Sequence, residues 1–395
     1  NIASIFMKKN IIYWSPCLNP VGTLKSTINS AKGLSKYTNE EEYTVTLINV
    51  CGEWNDHKND LREHKINIID LTFNYFAFLP KHGYFKSRLS YIIIVLFSFI
   101  PLFRFLFRTK PDFFIAHLIT SLPIIIFNIF NLKTKLILRI SGFPKLNFIR
   151  KLFWQKSANN IFHVTCPSRQ LLQNLAETKI FDISKMSFLP DAIINYKDFK
   201  SDIKKKIELN IFNTKKKIIL AAGRFTKQKN FSFLINEFSQ FFKTNNNYIL
   251  IILGEGEEKK KLNKLILKNK MNKNIFIPGK VSGIYKYMKK SDVFVLSSLW
   301  EEVGFVIVEA ALSNLFVISS DCPNGPSEFL SDGRGGILFE NNRTHALSNA
   351  FQKYCNLKEK NKYLSTSKKN ALQYTKYRHF LKFKNILTNF NTSTK

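Results

Sequence analysis

Short apolar runs rich in β-branched residues recur along this chain, separated by stretches in which apolar residues return every three or four positions. Runs of the first kind predict strands at residues 11–14, 43–50, 66–71, 113–117, 135–140 and 163–166. A second series predicts strands at 217–222, 248–253, 275–277, 293–296, 316–319 and 337–339. Strands alternating with helix-length segments make βαβ units, which build parallel sheets covered by helices on both faces. The expected fold class is therefore α/β, with two doubly wound sheets and a ligand cleft at the carboxyl ends of their strands. A polar stretch over residues 195–216, holding the lysine run Lys204–Lys206, reads as the linker. This divides the chain into 1–196, 197–365 and a C-terminal segment 366–395, whose residues 374–387 are amphipathic.

Residues 89–107 (LSYIIIVLFSFIPLFRFLF) are nearly long enough to cross a membrane. Pro101 and Arg104 interrupt them, and Lys86, Arg88, Arg108 and Lys110 flank them. A spanning helix would put strands of one sheet on opposite sides of the bilayer, which excludes it. Two readings remain: a buried helix of the first domain, or an amphipathic element facing a membrane. The basic flanks and the aromatics favour peripheral contact with an anionic membrane.

At 395 residues the chain is long enough for two ordinary domains, and 45% hydrophobic with 22% charged is a globular composition. The formal charge of +32 points to a polyanion, either nucleic acid or an anionic membrane. Lys, Asn, Ile and Phe are abundant throughout, however, and no basic repeat or tail stands out, so compositional bias accounts for most of the excess. No nucleic acid is expected as partner. The five cysteines (Cys17, Cys51, Cys166, Cys322, Cys355) lie far apart with no CxxC pair, against a disulfide framework or a zinc site and in keeping with a reducing, cytoplasmic compartment. No secretory signal pattern is read at the start, and the residues ahead of Met7 are left uninterpreted.

Two segments carry chemistry. In AAGRFTKQKNFSFLINEF (221–238) a strand ends, Gly223 turns the chain, and Arg224 and Lys229 precede a helix marked by Phe231, Leu234, Ile235 and Phe238. Two cations at a helix N-terminus suit a diphosphate, because the unpaired N–H groups and the dipole add to the side-chain charge. Asn230 reads as the helix N-cap and Lys227 as a solvated charge. In SSLWEEVGFVIVEAALS (297–313) an apolar strand leads through a glycine turn into a helix, with Glu301 and Glu309 separated by seven residues. Glu309 is read as opening the helix, where the dipole favours an acid.

These segments resemble the GR-x4-K and Glu-x7-Glu elements of the family 4 retaining glycosyltransferases, the group 1 type with the GT-B fold. The resemblance implies a C-terminal segment that crosses back to pack on the first domain. It implies that Arg224 and Lys229 contact the diphosphate of a UDP- or GDP-sugar, and that Glu309 accepts the ribose hydroxyls. It further implies that Glu301 faces the donor sugar and that Gly304 and Phe305 offer N–H groups to the phosphate. The strand turns at Gly223 and at Gly254–Gly256 fit the same order, and Gly279, Lys280 and Val281 occupy the loop whose backbone reads the base. Asn324, Gly325 and Glu328 follow in the "GPxE" position, near the donor. His117, at a strand end, is either the histidine that several relatives place beside the donor sugar or a half-buried structural one. Arg139 and Lys145 are candidates for an anionic acceptor. The loop 15–26 departs from the family's paired glycines, with only Gly22.

The implied activity is a hexosyltransferase reaction with retention, from a nucleotide-sugar donor to a saccharide or lipid-linked saccharide. The expected setting is surface-polysaccharide (O-antigen, capsule, exopolysaccharide or lipopolysaccharide) assembly at the cytoplasmic face of the inner membrane. No cofactor is implied and no metal, since the chain has no Asp-x-Asp. A glycosidase reading of the two glutamates leaves Arg224 and Lys229 unexplained. The rivals are a non-catalytic sugar-nucleotide-binding or scaffold protein and, further off, a basic nucleic-acid-binding protein.

Overall fold

The first apolar series becomes a seven-stranded parallel sheet in the computed structural model, which describes residues 8–18, 22–38, 42–71, 76, 79 and 84–389. Its strands are β1 (Lys9–Trp14), β2 (Tyr43–Asn49), β3 (Asn67–Asp70), β4 (Phe113–Ala116), β5 (Lys135–Arg139), β6 (His163–Cys166) and β7 (Met186–Phe188). They run in the order β3-β2-β1-β4-β5-β6-β7. The second series gives β8 (Lys217–Ala222), β9 (Tyr248–Leu253), β10 (Ile275–Gly279), β11 (Val293–Leu296), β12 (Phe316–Ser320) and β13 (Ile337–Phe339), ordered β10-β9-β8-β11-β12-β13. Both are doubly wound orders, with the connection reversing between β1 and β4 in one sheet and between β8 and β11 in the other.

The strands read as continuous apolar runs because both faces of each sheet are covered. Ile12 and Trp14 of β1 enter one core layer, while Ile11 and Tyr13 enter the other. On β8, Ile218, Leu220 and Ala222 face one layer, and Ile219 and Ala221 the other. Strand β7 has no such signature: three residues at the sheet edge, of which only Met186 is buried.

The chain divides into two compact units, Asn1–Ala192 with Lys376–Lys395, and Ile193–Thr375. In the first, the helix Lys376–Asn389 packs on the helix Gly22–Tyr37, burying Phe380, Phe383 and Leu387. In the second, the stretch 195–216 is not a loose linker. It forms the helix Tyr196–Asp202, buries Phe212, and lays Phe199, Ile203 and Leu209 against the core. Asp202 accepts the Tyr285 N–H at 2.9 Å, capping the helix Ile284–Lys289. The residues ahead of Met7, and 19–21 of the altered loop, lie outside the described residues.

Residues 89–107 fall in one helix, Tyr84–Thr109, with Pro101 inside it. The strands before and after it, β3 and β4, belong to the same sheet, so the helix does not span a bilayer. One row of it (Ser90, Ile94, Ser98, Leu102, Leu106) is buried; the opposite side is not. Neither a fully buried helix nor a spanning one describes it.

Candidate functional site

In the second unit, the loops after β8 and β11 flank the point where the connection reverses, the place where open α/β sheets hold ligands. Gly223 follows β8, its N–H donating to the Leu253 carbonyl at 3.0 Å. Gly254 follows β9 and donates to the carbonyl of Gly279, the last residue of β10, at 2.9 Å. A Cβ on Gly254 would stand 1.9 Å from the Gly223 carbonyl oxygen, so these loops can approach only through glycine.

Arg224 is exposed, and Lys229 is half-buried. The Lys229 ammonium donates to a Glu301 carboxylate oxygen, and the Ser298 hydroxyl donates to the same oxygen at 2.7 Å. The structure thus joins two predicted site residues across 72 positions of sequence. Four further bonds fix the loop that carries them. Ser297 Oγ donates to the Lys229 carbonyl at 2.8 Å, and Ser320 Oγ to the Ser298 carbonyl at 2.7 Å. Gln228 and Asn341 side-chain amides donate to the Trp300 and Leu299 carbonyls, both at 2.9 Å. None of these polar residues was signalled by the sequence, since each bonds a partner remote along the chain.

Gly304 takes a left-handed conformation (φ +78°) and caps the helix Phe305–Leu312, whose first residue is Phe305. Glu309 is its fifth residue and is buried, so it does not open the helix. The helix starts a turn earlier because packing of Ile307 and Val308 overrides the weak helix propensity of the FVIV run. Burial, then the Glu309 charge, raises the Tyr285 hydroxyl. Asn230 stands at the N-cap of the helix Phe231–Phe242 but its side chain makes no cap; it bonds Asn342 at 3.1 Å. Its φ of +50° explains it: asparagine tolerates the left-handed region in which glycine is at home.

Lys280 is exposed and Val281 half-buried, just past β10. Gly325 opens the helix Gly325–Phe329, in which Glu328 is half-buried. A Cβ on Gly325 would lie 1.9 Å from the Glu302 carbonyl oxygen, so this helix is pressed against the Glu301 loop. A hollow of about 580 Å3 along β13 holds none of the predicted residues.

In the first unit, His117 follows β4 at the equivalent reversal, its N–H on the Trp14 carbonyl at 2.9 Å. It lines a cavity of about 470 Å3 together with Arg139, Asn147, Arg150, Tyr91 and Ile149. Thr27 Oγ1 donates its one proton to the Thr23 carbonyl (2.8 Å) and lies 3.2 Å from His117 Nδ1. It can only accept there, so Nδ1 carries the imidazole proton and Nε2 is left as an acceptor. Burial, then the Arg139 cation, lowers His117 to about 3.

Arg139 is buried and bonds Asp191 at 2.7 Å and the Leu189 carbonyl at 2.5 Å. Its charge is neutralised inside the unit, so it does not await an anionic acceptor; Lys145 is exposed, and its carbonyl accepts an Arg150 bond at 3.0 Å. Burial pushes the Asp191 carboxyl up, but Arg139 and the Ser26 hydroxyl (2.7 Å) outweigh it and hold the carboxyl below its ordinary value. Nearby, His379 Nδ1 donates to the Pro190 carbonyl and its Nε2 accepts from Ser30, both at 2.7 Å. Ser30 in turn accepts from Tyr13 at 2.8 Å. Burial lowers His379 to about 4.

A family model described as "Glycosyl transferases group 1" matches residues 202–371, most of the second unit. An uncharacterized glycosyltransferase of Methanocaldococcus jannaschii is 31% identical over 240 residues, 56% of this chain and 58% of the relative. The N-acetylgalactosamine-N,N'-diacetylbacillosaminyl-diphospho-undecaprenol 4-alpha-N-acetylgalactosaminyltransferase of Campylobacter jejuni is 26% identical over 215 residues, 53% of this chain and 58% of the relative. The chain thus spans rather more than half the length of these two curated relatives. The crystal structure of Anabaena HepE in complex with UDP superposes with a TM-score of 0.72 at 16% identity, covering 97% of this chain and all of that one. The chain has the GT-B fold, and its residues 202–371 are similar to the group 1 glycosyl transferases.

Proposed function

We propose that this protein is a retaining glycosyltransferase of family 4 type, moving a hexosyl group from a UDP- or GDP-sugar to a saccharide or lipid-linked saccharide. The observation that carries this reading is the Lys229–Glu301 pair, fixed by Ser298 beside the reversal point of the second sheet. A nucleoside diphosphate laid there meets Lys229, Arg224 and the N–H groups at Gly304 and Phe305. Glu309 takes the ribose hydroxyls and Glu301 the sugar. The anomeric C–O bond breaks, and its electrons go to the diphosphate, whose charge the two cations and the helix terminus stabilise without a metal. The acceptor hydroxyl attacks the same face and passes its proton to the departing phosphate oxygen, so no further general base is required.

The C. jejuni relative, named for its action on a diphospho-undecaprenol-linked sugar, supports a lipid-linked acceptor, and with it surface-polysaccharide assembly at the cytoplasmic face of the inner membrane. The UDP complex of HepE supports a uridine donor before a guanosine one. The test is turnover: release of UDP or GDP from a panel of nucleotide-sugars in the presence of membrane lipid extract, with the product's anomeric configuration read by NMR. Binding of nucleotide without turnover of any sugar would favour a non-catalytic binding protein.

A further inference from the structure

The helix Tyr84–Thr109 turns about 100° per residue, so the side opposite its buried row is readily assigned. That side carries Leu89, Ile92, Leu96, Ile100 and Phe107, each more than half exposed, with Phe97 beside them at 66%. The apolar surface continues onto the helix Phe148–Ser157, where Phe148 and Ile149 are 77% and 76% exposed. The cavity of His117 joins the two: Tyr91 of the first helix and Ile149 and Arg150 of the second line it together. Contiguous exposed apolar surface of this kind marks an interaction site.

The charge around it decides what kind. From residue 71 to residue 176 the chain has 14 Lys and Arg against a single acid, Asp112, whereas the whole chain has 60 against 28. This excess is local, and the chain-wide bias does not account for it. Arg104, Arg108, Lys110, Arg150 and Lys151 are all exposed. A surface with an apolar centre, a cationic rim and almost no acids is complementary to an anionic bilayer, whose acyl boundary takes the apolar side chains and whose headgroups take the cations. Arg104, within the helix, reaches the headgroups on its long stem.

We propose that this face of the first unit docks flat on an anionic lipid bilayer, with the His117 cavity opening at the edge of the docked surface. The acceptor would then reach the cavity from the bilayer itself, its lipid never leaving the acyl layer. This deepens the lipid-linked acceptor reading and gives it a surface, but lipid binding can be measured without turnover.

The test is cosedimentation of the full chain with vesicles of phosphatidylglycerol and phosphatidylcholine, and of phosphatidylcholine alone. Wild type should bind the anionic vesicles and bind the neutral ones at least about tenfold more weakly. The variant Leu96→Ser/Phe97→Ser/Ile100→Ser should lose about tenfold or more in binding to anionic vesicles, since three large apolar groups no longer enter the bilayer. Leu267→Ser, an equally exposed leucine in the second unit, should change nothing. Because all three sites are exposed, the triple variant should keep its circular dichroism melt. No wild-type binding, binding undiminished by the triple change, or a lipid-free dimer that the triple change makes monomeric would each overturn the proposal. If nucleotide binding fails while vesicle binding behaves as stated, the enzymatic reading falls and this surface stands.

Discussion

The Lys229 ammonium and the Glu301 carboxylate are bonded to each other at the carboxyl end of the second sheet, and Ser298 donates to the same carboxylate oxygen. Both side chains are largely shielded from water, so removing either strands the other's charge. Lys229→Ala should cost about 2–4 kcal/mol in urea unfolding and weaken nucleoside diphosphate binding about 10- to 100-fold. Glu301→Gln keeps the shape and an oxygen for Ser298. It should leave diphosphate binding nearly intact while lowering turnover about 100-fold or more. Equal loss of binding in both variants would remove the division of labour between phosphate and sugar.

Thr27 fixes the proton on His117 Nδ1. Thr27→Val removes the acceptor, and the imidazole 15N spectrum should shift from the Nδ1–H tautomer toward a mixture; Thr27→Ser should restore it. A spectrum unchanged by Thr27→Val would show that the tautomer is set elsewhere. If His117 Nε2 serves a sugar hydroxyl, turnover should follow the tautomer across the three proteins.

Gly325→Ala places a methyl group 1.9 Å from the Glu302 carbonyl oxygen and 2.2 Å from the Val303 Cα, both of them backbone atoms. The helix Gly325–Phe329 or the Glu301 loop must shift, at about 1–3 kcal/mol, and donor binding should fall with it. An unchanged melting temperature and unchanged binding would mean that the two segments yield freely.

Stability should fall in mild acid. His117, His163 and His379 are held neutral by burial, at about 3, about 4 and about 4. A histidine lowered in the folded state leaves the unfolded chain binding the extra proton between its ordinary value near 6.5 and the folded one, so stability drops as pH falls through that window. Glu53 acts in the opposite direction: burial raises it to about 7, only partly offset by bonds from the Cys51 and Val50 N–H groups, so its contribution is lost as pH rises from the ordinary carboxylate range. Between pH 6.5 and 4.5 the histidines outnumber it by two, which gives a slope of about 2.7 kcal/mol per pH unit. Urea unfolding across this range should show stability greatest near pH 6.5, and Glu53→Gln should steepen the acid limb. A flat profile would contradict the buried neutral histidines.

The strands were legible because a sheet covered on both faces writes itself as an unbroken apolar run, as in KIILAA of β8. Strand β7 was not, because three edge residues leave no periodic trace. Site residues on glycine turns could be read from local pattern, Lys229 and Glu301 among them. Their supports could not: Ser297, Ser298, Ser320 and Asn341 are ordinary polar residues until the loops converge. The Arg139–Asp191 pair, 52 positions apart, was equally hidden, so Arg139 read as an available cation when it is a buried one. Residues 195–216 read as a linker because the lysine run 204–206 and the polar residues around it dominate the pattern, yet the scattered apolar residues suffice to seat the stretch on the core.

The proposed nucleoside diphosphate site in the second unit is to be measured by calorimetric titration with UDP, GDP, ADP and CMP, on wild type and on Glu309→Ala. One diphosphate should bind at micromolar strength, and the substitution should weaken it at least about tenfold. Absence of binding by all four, or a site indifferent to Glu309, would contradict the proposal.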